Sequence, residues 1–177
     1  MKSLWNCKSV YKALNFACKA FGMKYPIFDK NRKNYTEHFM AVALNAVNFT
    51  TDENVNHEFM LIVAILHDIL EDTDITYSDL KNEFSFEVAN AVKSLSRNEE
   101  LPFEEQIPDC LNRIKSQPKE VAIVKMADRL YNIRERYLGW TLEHQEMYKK
   151  EAQLVCNELG YASINLKNAL QQAIEEF

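Results

Sequence analysis

From Leu4 onward, apolar residues return every three or four positions, as an α-helix of 3.6 residues per turn requires. No stretch alternates with the period of two that marks a half-buried strand. The spacing predicts a first helix from Leu4 to about Phe21, with Val10, Leu14, Phe16, Ala17 and Phe21 inward and Gly22 as its stop. Residues 23–35 are polar, hold Pro26, and set Lys24, Lys30, Arg32 and Lys33 against Asp29, a cationic loop in an otherwise acidic chain. A second helix is expected from Thr36 to Phe49, its inner face carrying His38, Val42, Ala46 and Phe49. The stretch between His57 and Asp72 is apolar almost all round until its last turns, the pattern of a central helix packed on every side.

Further along, Thr76 and Asp79 have capping-box spacing for a short helix to Phe84, and another follows from Phe86 to Leu95. Residues 103–117 read as helical, with Pro108 expected to interrupt or restart them. Pro118 suits the first turn of a long helix from Lys119 to Leu138. Gly139 and Gly160 stand where helix C-caps belong, bounding helices over 141–158 and 162–176. The expected fold is all-α: one helical bundle of about eight to nine helices around a central apolar helix. Residues 1–177 form one domain in this reading, with no internal repeat and no long linker.

Composition narrows the function classes. The chain has 177 residues, 47% hydrophobic and 27% charged, an ordinary globular mix. Its net charge of −5 gives no basic footprint for a nucleic-acid polymer, although a metal and a few local cations could still hold a small anion. The longest apolar run, Phe59 to Leu66, is far short of the ~20 residues of a membrane span. Cys7, Cys18, Cys110 and Cys156 form no close pair and follow no leader-like pattern, so they read as reduced, mostly buried thiols of a cytoplasmic protein.

Chemistry concentrates at three places. His67, Asp68, Glu71 and Asp72 stand at the end of the central helix, where i, i+4 spacing gives them a shared face. Glu71 and Asp72 alone could simply be hydrated. His67 continues the apolar stripe of Met60, Val63 and Ala64, and a buried His–Asp pair needs partners. Asp128 falls in line with Val121, Val124 and Tyr131; its plain alternative is a buried salt bridge to Arg129 or Arg113. His38 alone would pass for a satisfied core histidine. Together, two imidazoles and two carboxylates suit a first-row divalent ion with coordination positions left open. Such an ion acidifies water and polarises a phosphoryl oxygen, and Glu71, one turn beyond His67, could steer or deprotonate that water.

These residues resemble the H…HD…D signature of the HD superfamily. HDILEDT at 67–73 is similar to the HDxxEDT stretch of the RelA/SpoT family's alarmone hydrolase domain, and VKMADRLYNIRER at 124–136 resembles that family's K-L-A-D-R/K-L-x-N-x-R helix. Residues Phe84 to Ala89 stand where the family has F-G-x-x-V-A, and Ala13 to Ala20 and Tyr35 to His38 echo its first helix and the start of its second. The resemblance covers about residues 9–138, and the chain is the size of a stand-alone hydrolase. It implies hydrolysis of the 3′-pyrophosphate of guanosine tetra- or pentaphosphate, with manganese or another divalent metal on His38, His67, Asp68 and Asp128. It further implies that Glu71 and Asp72 act on the attacking water and that Asn132 helps hold the nucleotide. Asn132 also lies one helical turn after Asp128, which puts it at the rim of any site there.

The departures from the family pattern concern substrate recognition. The R-K-x-G-x-P-Y loop is here Asn31-Arg32-Lys33-Asn34-Tyr35, without its Gly and Pro, and Phe39 replaces the Pro after the histidine. Arg97 stands where a lysine is frequent. Arg32 is the best match for the base-packing arginine, with Lys24, Lys33 and Arg97 as further contacts to phosphates and base. Two other readings stand beside this one: a phosphohydrolase of a deoxynucleotide, a reduced nicotinamide dinucleotide phosphate or a second messenger, and a catalytically silent nucleotide sensor.

Overall fold

The computed structural model describes residues 7–24, 34–50, 54–135 and 140–177, with only the backbone at Met23 and Lys24. Among these residues the chain is helical, in the order α1 (Lys8–Lys24), α2 (Tyr35–Asn48), α3 (His57–Leu66), α4 (Ile69–Asp72), α5 (Tyr77–Glu83), α6 (Phe86–Leu95), α7 (Phe103–Lys115), α8 (Lys119–Glu135), α9 (Leu142–Leu159) and α10 (Ile164–Glu176). The boundaries follow local chemistry. Asn34, Asn56, Thr76, Ser85, Thr141 and Ser163 each accept a backbone N–H of the following first turn through the side chain. At Thr76 the expected capping box is complete, because Asp79 returns a bond to the Thr76 backbone.

Two helices, not one, form the centre. On α3 every residue from Met60 to Leu66 is buried, as its unbroken apolar run requires, and it packs against α1, α2, α6 and α8. On α8 burial is continuous from Glu120 to Leu130, and the helix touches α2, α3, α6, α7, α9 and α10. Its sequence concealed this, because Glu120, Lys125, Asp128 and Arg129 break the apolar run. Each of them has a partner in the interior. Glu120 accepts the Asn56 N–H at 2.6 Å, the Lys125 ammonium reaches the Leu95 carbonyl at 3.4 Å, and Arg129 pairs with Glu151 at 3.2 Å.

Three local expectations change, while the cap expected at Gly160 is present. The first helix runs through Gly22 to Lys24, since nothing near Gly22 demands its missing Cβ. Helix α7 continues through Pro108; that residue and Glu104, whose carbonyl loses its N–H partner, lie on the exposed side where water can replace the bond. Gly160 does cap α9, yet in right-handed backbone. What calls for glycine there is a close approach, because a Cβ would lie 2.6 Å from the Cys156 carbonyl oxygen. The stretch from His57 to Asp72 is not one helix but two, broken at His67 and Asp68. Gly139 lies outside the described residues. All four cysteines are free; Cys110 and Cys156 are buried and Cys18 is exposed. Among the described residues no helix is long and apolar enough to cross a membrane.

Candidate active site

The break after α3 has a specific cause. In a continuous helix the Ala64 carbonyl would accept the Asp68 N–H. Here the His67 side chain takes it, with Nδ1 at 2.7 Å. The chain turns through His67 and Asp68, then restarts as α4 when the Glu71 and Asp72 N–H groups reach the Asp68 carbonyl at 3.1 and 2.9 Å. A carbonyl only accepts, so Nδ1 of His67 carries hydrogen and Nε2 is the atom that faces the site. The bond that ends the helix also fixes the tautomer, the arrangement usual for metal-ligating histidines.

His67 Nε2 lies 3.1 Å from His38 Nε2, 3.0 Å from Asp68 Oδ1 and 3.7 Å from Asp128 Oδ1. His38 Nε2 lies 3.2 Å from Asp68 Oδ2 and 3.3 Å from Asp128 Oδ1. Helices α2 and α8 and the end of α3 therefore bring His38, His67 and Asp128 to within 4.8 Å of one another at their ligand atoms, and Asp68, in the α3–α4 turn, lies against both imidazoles. His38, His67 and Asp128 are buried. One edge of the His38 ring faces Tyr131, with centroids 5.0 Å apart, and its Nδ1 has no partner among the described residues.

Such a crowd of lone pairs is stable only around positive charge. Burial by itself would push the His67 pKa down, but the Asp68 charge and hydrogen bonds to Asp128 and Asp68 override it and hold the imidazole up at about 10. Burial likewise opposes the charged form of Asp128; hydrogen bonds from His38 and His67 and the Lys125 charge prevail, and its pKa lies well below the usual carboxylate range. The oxygens thus favour positive charge between the imidazoles, supplied by a proton or by a metal ion. Two neutral nitrogens with oxygens of two carboxylates are a donor set that suits a divalent first-row ion.

The surrounding residues sort clearly. Asn132 donates to Asp128 Oδ1 at 2.8 Å, at the rim where its spacing predicts it. Neither arginine offered as a plain partner for Asp128 plays that part: Arg129 pairs with Glu151, and Arg113 with Asp109 at 2.8 Å. Glu71, on α4, is exposed, and its Oε1 accepts the backbone N–H of Arg97 at 2.8 Å. Asp72 is half-buried at the end of α4. The Arg97 guanidinium bonds Glu151 at 3.1 Å and lies over the Phe103 ring, so its charge is already engaged. Arg32 and Lys33 and the Lys24 side chain lie outside the described residues.

Sequence reading missed Glu151 and Tyr148. Both sit on α9, beyond the stretch that carries the family resemblance. Tyr148 hydrogen-bonds Asn132 and lies under the Arg129 guanidinium, 4.3 Å from ring centroid to carbon, and burial pushes its phenol pKa upward. The available signal was Arg129 itself: a buried arginine on α8 needs an acceptor from a neighbouring helix.

Comparison with known proteins matches the HD domain family model over residues 13–161. Among curated proteins, the guanosine-3′,5′-bis(diphosphate) 3′-pyrophosphohydrolase MESH1 of Drosophila melanogaster is 27% identical over 154 residues, which is 84% of this chain and 83% of that protein. Its Mus musculus counterpart is 28% identical over 131 residues, 72% of this chain and 73% of that protein. The Aquifex aeolicus enzyme of the same name is 26% identical over 172 residues, 94% of this chain but 23% of its own length. Among solved structures, a metazoan orthologue of SpoT that hydrolyses ppGpp superimposes with a TM-score of 0.79, at 22% identity and over 96% of each chain.

Proposed function

This chain belongs to the HD domain family, and from that premise we propose that it removes the 3′-pyrophosphate from guanosine tetra- or pentaphosphate, with a divalent ion, manganese or a similar metal, held by His38, His67, Asp68 and Asp128. The observation that carries the proposal is the buried cluster of His38, His67 and Asp128 from separate elements, with the carboxylates of Asp68 and Asp128 3.0–3.7 Å from the two Nε2 atoms. Curated relatives at 26–28% identity, matched over 72–94% of this chain, bear the name of that reaction.

When bound, the ion supplies an acidified water and a polarised phosphoryl oxygen. The protein's own part begins with the His67 tautomer, which keeps Nε2 turned to the site through the Ala64 bond. Asp128 is held by Asn132, and Asn132, itself bonded to Tyr148, stands at the rim where the nucleotide binds. Glu71 accepts the proton of the attacking water through the carboxylate that the Arg97 amide orients, and Asp72 stands beside it. Arg32, Lys24 and Lys33 meet the base and outer phosphates. Arg97 could join them only by leaving Glu151. Four free thiols fit a reducing compartment such as the cytoplasm.

The changed loop at residues 31–35 favours one second reading, hydrolysis of another nucleotide such as a deoxynucleotide or a reduced nicotinamide dinucleotide phosphate. A panel of these substrates with manganese separates the two. Pyrophosphate release from guanosine tetraphosphate, abolished by chelation, is the expected result. Turnover confined to another member of the panel selects the second reading. Tight nucleotide binding with no turnover of any member would make the chain a sensor.

A further inference from the structure

We infer that the peptide between Ser96 and Arg97 is a clamp for the Glu71 carboxylate, and that Arg113 and Glu151 are the positioning residues that hold the clamp. The inference rests on the reading of Glu71 as general base. Glu71 is exposed, and an exposed carboxylate is ordinarily free to change rotamer. Here its Oε1 accepts the Arg97 N–H from 26 residues away. One hydrogen bond orients the carboxylate only as well as that peptide is itself held.

It is held on both sides. The carbonyl of the same peptide, Ser96 O, accepts from Arg113 Nη2 at 2.7 Å. The rest of that guanidinium is spent on the same task, with Nη1 on the Lys93 carbonyl at 2.6 Å and Nε on Asp109 at 2.8 Å. A planar fork with three nitrogens engaged has no freedom left to shift. On the other side, Arg97 reaches Glu151 Oε2 at 3.1 Å, and the same oxygen receives Arg129 Nη1 at 3.2 Å. Arg129 directly follows Asp128, so one carboxylate oxygen ties the helix bearing Asp128 to the loop bearing the amide.

Stability alone gives little reason for this arrangement. Arg129 is 2% exposed and its Nε has no partner among the described residues. Buried ion pairs of this kind are often replaced by apolar residues without loss of stability. What the network does provide is a fixed distance between two parts of the site that lie on different helices.

The test is steady-state kinetics of the manganese-loaded full chain on guanosine tetraphosphate, for Glu151→Gln and Arg113→Lys, each alone and combined with Glu71→Gln. Misplacing a reacting group by about 1 Å can cost on the order of a hundredfold. Each single variant should therefore lose about ten- to a hundredfold in kcat, with KM and metal content changed by no more than about twofold. In the Glu71→Gln background the same substitutions should lower kcat by less than about twofold, because nothing is left to position. Glu151→Asp, which keeps the charge, should recover part of the loss. An equal loss in both backgrounds would mean general damage to the fold and would overturn the clamp. Full activity of Glu151→Gln and Arg113→Lys beside an inactive Glu71→Gln would overturn the clamp alone. Full activity of Glu71→Gln would overturn the base assignment and the clamp together. Arg113 and Glu151 act from opposite sides, so failure of one variant to fold leaves the other to decide.

Discussion

The Nε2 atoms of His38 and His67 face each other at 3.1 Å, each also within 3.7 Å of Asp128 Oδ1. Two such nitrogens can share one proton or one metal ion, but they cannot stand there as bare lone pairs. Binding a cation at this point should therefore stabilise the fold. Purified protein is expected to carry about one divalent ion per chain, and chelation should lower its melting temperature. At a hundred times the dissociation constant the stabilisation is about 2.7 kcal/mol. Metal analysis and melting curves with and without chelator measure this; identical curves would count against the site.

The pH dependence of the metal-free protein follows from His67. Its folded pKa, about 10, is raised above the ordinary imidazole value of 6.5. The stabilisation it contributes is fully present below about 6.5 and is lost as the pH rises towards about 10. Asp128 acts at the other end: its pKa is lowered, so its contribution is present above the ordinary carboxylate pKa and is lost as the pH falls through the lower folded value. Metal must displace the His67 proton, so affinity should weaken as the pH falls. Melting temperatures of chelated and loaded protein across pH 5–10 should diverge at the alkaline end; parallel curves would refute this account.

Glu71→Gln should leave metal content unchanged and reduce turnover by about 10²–10⁴, the usual worth of general-base participation. Single-turnover assays on the loaded protein check it. An unchanged rate would transfer the role to Asp72 or dispense with a side-chain base.

Arg32→Lys should weaken binding of the guanosine substrate while sparing hydrolysis of a small activated phosphate ester. Lysine keeps the charge but cannot stack a planar guanidinium on a base. Such contacts contribute about 0.5–2 kcal/mol, or a few-fold to some thirtyfold in affinity. Binding isotherms decide it, and equal affinity for guanosine and adenosine tetraphosphates in the unmodified protein would argue against base recognition.

By itself the amino-acid order determined the helical class and most helix boundaries, and it singled out His38, His67, Asp68 and Asp128 as candidates. Period 3.6, capping pairs such as Thr76 and Asp79, and ionisable residues on apolar stripes are local signals, readable wherever they occur. The tertiary structure alone decided that α8 is as central as α3, because pairing of Glu120, Lys125 and Arg129 with distant groups is what makes their burial tolerable. It also decided the break at His67, which turns on the Ala64 carbonyl accepting the imidazole in place of the next backbone N–H. And it brought Glu151 and Arg113 to the Ser96–Arg97 peptide. Contacts between residues 17 to 64 apart leave no periodic trace, since their geometry exists only once the helices have packed.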